Sequence, residues 1–411
     1  MSNSPSSTNH TRSVSKHLTL SVGPGGELDG ADDRVLQAGV DYLHRLGGGV
    51  LQVLPGVYDM GNALFLHPGI VVRGSGDETI LRKRESGMAK LLRDSDWYEN
   101  CLTVEDSGPF HPGCGIMLRS YTDDGGIKEC VSDTVVAVDG SELTLTKPLG
   151  KNFWVEHSAS AATLYPIVTA AEQVSDAAVE EIVLDGNGDN NEEINGNFSG
   201  AVFIQQVHRI RFRHVTAQNY RGDGFSFQIC DDIHFEECRA INNTNFGFHP
   251  GSGSQRPTFA KCVARGNRQG IFFCWGVSEG RVEGCECSRN TDYGISIGHR
   301  DTDNLIIETT FEENHKVGLL FRDQDDWRGA HRNLIERCCF RDNGFDDEGV
   351  AVDIRGSTRD VEIRDCCFID SGKGRQCTAI RLGANTAGTR LDGNSFDGIL
   401  EEVVDLAHSE C

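Results

Sequence analysis

Side chains able to move protons and hold anions recur in this sequence at the ends of short apolar runs, one repeat apart. In order they are Gln228, His249, Trp275 beside Cys274, the run His299-Arg300-Asp301, Arg322 with Asp323, and Asp353 with Arg355. Arg256, Arg328, His331 and Arg332 lie in the segments between them. Imidazole titrates near neutrality and suits a general base, and guanidinium groups suit carboxylates and developing anionic charge. These types fit abstraction of a proton next to a uronate carboxylate. His249 or His299 would be the base and the other the donor, Arg300 and Arg322 the cationic clamp, and Asp323 or Asp301 the group orienting an imidazole. A uronan lyase and a C5-epimerase share these parts and differ in whether the leaving group departs or the proton returns on the other face. Gln228, Arg256, Trp275, Asp301, Asp353 and Arg355 are the matching substrate-binding candidates, Trp275 as a platform for a pyranose face.

Two alternatives use the same stretch. Glycoside hydrolysis or transfer needs two carboxyls about 5 to 9.5 Å apart, which Asp301 and Asp323 on neighbouring units could supply. Carbohydrate binding without catalysis is the other, since alternating Arg and Asp on a repeat surface also pair with each other for solubility. The sequence calls for no metal. Calcium could be held by Asp301 and Asp303, or by Asp323, Asp325 and Asp326, although a solvated acidic loop explains them better.

What must bring such scattered residues together is a repeat. Gly200, Gly224, Gly247, Gly270, Gly294 and Gly318 each open an alternating apolar run, at intervals of 24, 23, 23, 24 and 24 residues. A period of this size marks a solenoid whose units bury their apolar faces on one another. Odd offsets from the glycine are apolar (Phe225 and Phe227, Ile271 and Phe273, Ile295 and Ile297, Leu319 and Phe321), and even offsets are mixed (Ser226, His249, Ser296, Arg322). That is a strand with one face inward and one free for chemistry. A second short strand follows in each unit, then an Asn suited to a left-handed bend, as at Asn243, Asn267, Asn290, Asn314 and Asn343. The predicted fold is all-β, a single right-handed parallel β-helix solenoid with an N-terminal capping helix. Stacked about 4.8 Å apart, the units from His249 to Arg322 would span roughly 15 Å of surface.

The remaining composition narrows the partners. The chain has 411 residues and a formal charge of −23, which argues against nucleic acid and anionic membrane. An acidic polysaccharide or oligosaccharide is the expected partner, met by a local cationic stripe, and a homo-oligomer is compatible. No apolar run is long enough to span a bilayer, and the polar first twenty residues lack the apolar core of a secretory signal, which reads as cytoplasmic. Among the 15 cysteines, Cys238, Cys262, Cys285 and Cys338 each stand five residues before a bend Asn. A column of buried thiols is expected there, rather than disulfides or a metal site.

Along the chain, residues 1–20 read as a flexible tail and 21–84 as an N-terminal cap with the first coils. Within the cap, Val35, Leu36, Val40, Leu43 and Leu46 mark a helix over 31–46. This helix, the strand ending Leu-Pro-Gly-Val-Tyr at 54–58 and the Arg-Gly-Ser-Gly turn at 73–76 resemble the N-terminal signature of the pectate lyase superfamily. The resemblance implies a right-handed parallel β-helix and activity on polysaccharides. Asp185-Gly186-Asn187 resembles a turn common in that superfamily, and Gly-Ile-Ser-Ile-Gly at 294–298 a string of polygalacturonases, whose Asn-Thr-Asp is missing. The His249-Pro250 pair is similar to part of the Asp-Pro-His element of mannuronan epimerases, with Phe248 in place of the Asp. The strings around His249, Trp275 and His299 also look like those of bacterial β-helix proteins. Residues 85–170 depart from the repeat and predict irregular coils or a small β insertion, 171–400 the regular β-helix, and 401–411 a C-terminal tail.

Overall fold

A regular coil consists of one long strand and two short ones, illustrated by Phe246–Gly251, Thr258–Ala260 and Val263–Arg265. The computed structural model describes residues 18–372 and 376–406. Two residues separate the short strands, the first of them in the left-handed region, Lys261 in this coil and Glu237, Glu308 and Arg337 in others. Each strand pairs in parallel with its counterpart one coil on, and the long strands stack into an eleven-stranded front sheet.

Alternation along the front strands fills the interior. Phe225, Phe227, Phe248, Ile271, Phe273, Ile295 and Ile297 are all within 1% of complete burial, and Phe225 stacks on Phe248 with ring centroids 4.9 Å apart. From the short strands, Phe212, Phe235 and Phe259 form a second stack at 5.1 and 5.2 Å. The register aligns Ala201, Gly224, Gly247, Gly270, Gly294, Gly318 and Ala351. Gly200 therefore stands one residue out of step with the repeat. A Cβ on Gly247, Gly270 or Gly294 would lie 2.4–2.6 Å from a carbonyl oxygen of the next coil, so close backbone approach is what these glycines permit.

The corner before each front strand is held by a buried amide column. Asn243 accepts from the Tyr220 amide and donates to Asn267; Asn267, Asn290 and Asn314 each accept from the preceding member and donate to the next, and the column ends at Asn343 and Gln376. Each Nδ2 also donates to a backbone carbonyl, as Asn290 does to Ala264 at 3.1 Å. At the corner between the short strands, Cys238, Cys262, Cys285, Cys338 and Cys366 are buried and reduced. Thr309 takes the position between Cys285 and Cys338 and bonds the Cys285 amide.

The capping helix α1 runs Asp33–Arg45, with Asp32 accepting from the Val35 amide as N-cap and Leu36, Val40 and Leu43 buried. Leu46, expected on the buried stripe, is 55% exposed beyond its end. Thr19–Val22, partly within the expected tail, pairs with Gly49–Val53; residues 1–17 lie outside the described residues. Glu401–Asp405, expected as tail, is the last front strand and pairs with Thr378–Leu382. Between Lys83 and Val168 the chain leaves the coil and builds an antiparallel six-stranded sheet with its own core around Leu102, Ile116, Leu118, Val135 and Phe153. The coil resumes where Val168 pairs with Leu64.

Asn290→Ala would leave the Asn267 amide and the Ala264 carbonyl without their partner inside the core. With about 1–3 kcal/mol for each orphaned group, the expected loss is about 2–4 kcal/mol, read by chemical denaturation. A loss below about 0.5 kcal/mol would show that the column is not what holds this corner.

Candidate functional site

The outer side of the front sheet carries the even-offset residues in register, Phe203, Ser226, His249, Phe272, Ser296 and Leu320 in one column. It is far less open than its sequence suggests. Ser226 donates to the Gly196 carbonyl at 2.6 Å, so the 195–199 segment crosses the first coils. Further along, Phe246 stacks on Phe272 at 4.2 Å, with the Arg268 guanidinium over Phe246. His249 lies among these rings and is 2% exposed.

His249 Nδ1 lies 2.7 Å from Oδ2 of Asp223, whose side chain is fully buried. The other oxygen, Oδ1, accepts from Asn245 Nδ2 at 2.7 Å and from the Phe246 amide at 3.1 Å. Oδ1 is thus occupied by two donors and Oδ2 faces Nδ1, so the imidazole is anchored through Nδ1 and Nε2 is the ring nitrogen directed away from the carboxylate. That atom is buried without a hydrogen-bond partner. Gln228, one coil back, is turned to Ser226 at 3.3 Å and is buried. Asp223 was not among the sequence candidates. It stands one coil and three residues before His249, an offset visible only once the coils are in register.

Arg322 shares this face but is not a free clamp. Its Nη1 donates to Ser296 Oγ at 2.6 Å, and its Nη2 to the Phe273 carbonyl at 2.7 Å and to Asp301 at 3.2 Å. Its guanidinium lies 4.6 Å over the Phe272 ring. Phe272 thus separates Arg322 from His249, whose ring centroid is 5.2 Å away on the other side. Asp301 is fully buried and accepts the Gly276, Val277 and Gly298 amides, each at 2.9 Å. It closes the corner instead of meeting substrate, which removes one carboxyl of the expected hydrolytic pair. Asp323 is exposed in the next connection.

The other candidates divide into an open ridge and a set of neutralised pairs. Trp275, 45% exposed, stacks parallel on His299 with centroids 4.7 Å apart. Burial, then Arg322, Arg328 and Arg300, hold the His299 imidazole below its ordinary pKa. Arg300 and Arg328 both face Trp327, which is 64% exposed and was not singled out in the sequence, although the enlarged connection around it was. Arg256, by contrast, is spent on an exposed ion pair with Asp232 at 2.8 Å. Arg355 and Arg381 both hold the buried Asp353, at 2.5 and 2.6 Å. The expected cationic stripe therefore reduces to Arg300 beside two tryptophans, with Arg328 at the same place paired to Asp325.

The carboxylates considered for calcium are similarly engaged, Asp303 by Arg332, Asp325 by Arg328 and Asp326 by Arg359. Among the described residues no cluster of three or more His, Cys, Asp or Glu is arranged to hold a metal ion. A groove of about 980 Å³ opens where the insertion faces the front sheet. Its floor is the outward column Phe65, Thr169 and Phe203, which leads toward His249, and its far wall includes Ser132, Thr134 and Lys147.

A family described as a right handed beta helix region matches residues 200–327 and 252–396, together just under half of the chain. The chain has the right-handed parallel β-helix, pectate-lyase-like fold. No curated protein matches the sequence. Among solved structures, the A-module of the mannuronan C-5 epimerase AlgE4 of Azotobacter vinelandii is similar at TM-score 0.58 and 16% identity, over 91% of this chain and 93% of that one. The surface protein and adhesin PfbA of Streptococcus pneumoniae is similar at TM-score 0.54 and 13% identity, over 91% and 95%. ORF18 of Geobacillus virus E2 is similar at TM-score 0.55 and 12% identity, over 90% of this chain and 58% of that one.

Burial pushes the Asp301 carboxyl up to about 6, against the pull of Arg322 and three amides. A folded pKa above the unfolded value of about 3.9 means that the folded state binds more protons between the two. The stability this group confers is complete below about pH 4 and is lost as pH rises through 6. The unfolding free energy of the wild type minus that of Asp301→Asn should fall by up to about 3 kcal/mol from pH 4 to 7. A rise over that interval would show that the ion pair with Arg322 outweighs burial.

Proposed function

We propose that this protein acts on an acidic polysaccharide laid along the outer side of the front sheet, as a uronan lyase or C5-epimerase with His249 as base. The observation that carries this is the Asp223–His249 pair, in which one imidazole nitrogen is bound to a fixed carboxylate and the other has no protein partner. Such an arrangement sets the tautomer and stabilises the imidazolium that forms on proton transfer. Nε2 would take the proton at C5 of a uronate, leaving the electron pair delocalised into the adjacent carboxylate. In a lyase the C4–O bond then breaks and its electron pair leaves with the glycosidic oxygen. In an epimerase a proton returns to the opposite face. Access to Nε2 requires the stacked Phe246 and Phe272 rings to part, and Arg322 beyond Phe272 contributes positive potential. The solved A-module that is similar in fold is described as a mannuronan epimerase, one of the two reactions considered.

Binding without turnover is the second reading, favoured by the closure over His249 and the openness of the ridge at Trp275, Arg300 and Trp327. The adhesin among the similar structures is compatible with it.

Incubation with uronate-containing polymers separates these outcomes. A new ultraviolet absorbance marks unsaturated uronate and a lyase, and solvent deuterium entering uncleaved polymer marks an epimerase. His249→Ala and Asp223→Ala should each lower that signal by about 100-fold or more while leaving polymer binding intact. Reducing ends without absorbance would overturn the proposal in favour of hydrolysis. Binding with no turnover, indifferent to His249→Ala, would favour the second reading.

A further inference from the structure

The inserted sheet has a pocket of its own, about 440 Å³, which shares no lining residue with the front-sheet groove and is lined by Trp97, Trp154, Lys128, Glu129, Lys151 and His157. Three chain segments form it, and the two that carry the tryptophans are tied together: the Trp97 amide donates to Asn152 at 2.9 Å, the Gly150 amide to the Trp97 carbonyl at 2.7 Å, and the Val155 amide to Asp94 at 2.7 Å. Ser95 and Phe153 exchange backbone hydrogen bonds between those ties. The backbone under both tryptophans is therefore fixed, yet Trp97 is 60% exposed and Tyr98, edge-on to it, 64%. Indole surface left in water on a rigid support is a cost that packing within the chain does not explain.

The charges around these rings differ in sign from the chain as a whole, which is at −23. Lys128 Nζ stands 3.0 Å from His157 Nε2, and Lys151 is 2.7 Å from Glu129. The lining thus brings two ammonium groups against one carboxylate. Flat apolar rings beside ammonium donors match a sugar with an apolar ring face and an anionic substituent. The volume falls within the range of small-ligand sites.

We propose that this pocket is a second glycan site that takes a uronate residue, Trp97 and Trp154 meeting the ring and Lys128 the carboxylate, with Lys151 offsetting the charge of Glu129 beside it. It rests on the proposed function only for the class of sugar, not for any step at His249. A polymer held here and at the front sheet would be engaged at two points, which raises its apparent affinity above that of either site.

The four tryptophans, at 97, 154, 275 and 327, allow the two regions to be read separately. In full-length Trp275→Phe/Trp327→Phe the insertion supplies the emission, and in Trp97→Phe/Trp154→Phe the ridge does. Galacturonate and mannuronate hexamers are the probes and cellohexaose the neutral control. The expected result is saturable quenching of the first variant by at least one uronate hexamer and none by cellohexaose. Adding Lys128→Gln/Lys151→Gln to it should weaken binding at least tenfold without altering the circular dichroism spectrum. No quenching by either hexamer, equal quenching by cellohexaose, or an unchanged affinity after the lysine substitutions would overturn the site. Because the readout is emission from the insertion, loss of this site with uronate turnover intact leaves the proposed function standing. Quenching without turnover does the reverse.

Discussion

Coil-to-coil hydrogen bonding is the constraint from which the rest of this structure follows. A buried amide that loses its partner costs free energy comparable to a hydrogen bond, so each coil has to meet its neighbour in register at every corner. The column from Asn243 to Gln376 does this twice over, through side-chain amides bonded along the axis and to backbone carbonyls across it. The stacked Gly224 to Gly318 positions then let successive backbones approach where a Cβ would collide. With register fixed in this way, Asp223 and His249, 26 residues apart, meet at 2.7 Å.

The same tight stacking explains why the outer side of the front sheet is closed. Side chains on parallel strands stand one coil apart, close enough for Phe246 and Phe272 to lie against each other, and the long Arg322 side chain reaches back two coils to lie over Phe272. Polar groups on that side are consequently drawn into structure: Arg322 is bound to Ser296, a carbonyl and Asp301, and Asp353 is held by two arginines. His249 Nε2 is a buried ring nitrogen without a protein partner, as are Arg322 Nε and His299 Nδ1 nearby. The open surface lies to either side, at the Trp275 to Trp327 ridge and in the groove under the insertion.

Much of the fold was legible because it repeats. The 23 to 24 residue period, the inward Phe and Ile positions, the Asn corners and the thiol column are all statements about equivalent positions, and equivalence survives in sequence. The site was less legible because it depends on offsets between coils. Asp223 precedes its glycine and bonds a residue that follows the next one, so no local motif contains the pair. Asp301 sits in a run that reads as a charged surface turn, yet left-handed backbone at His299 and Arg300 turns its carboxylate inward onto three amides. Trp327 was hidden in a connection whose length was visible and whose path was not. A small antiparallel insertion was one of two readings of 85–170, but which strands pair within it was not legible, since they keep no fixed spacing.

That an acidic glycan is met by the outer side of the front sheet is tested most directly by backbone hydrogen exchange, read by mass spectrometry with and without a saturating uronate oligosaccharide. Slowed exchange should concentrate in peptides spanning 223–228, 246–251 and 268–276, with the short strands on the other faces of the coil, such as 234–241 and 258–265, unchanged. Protection confined to those other faces, or none on the front sheet at saturation, would contradict the account.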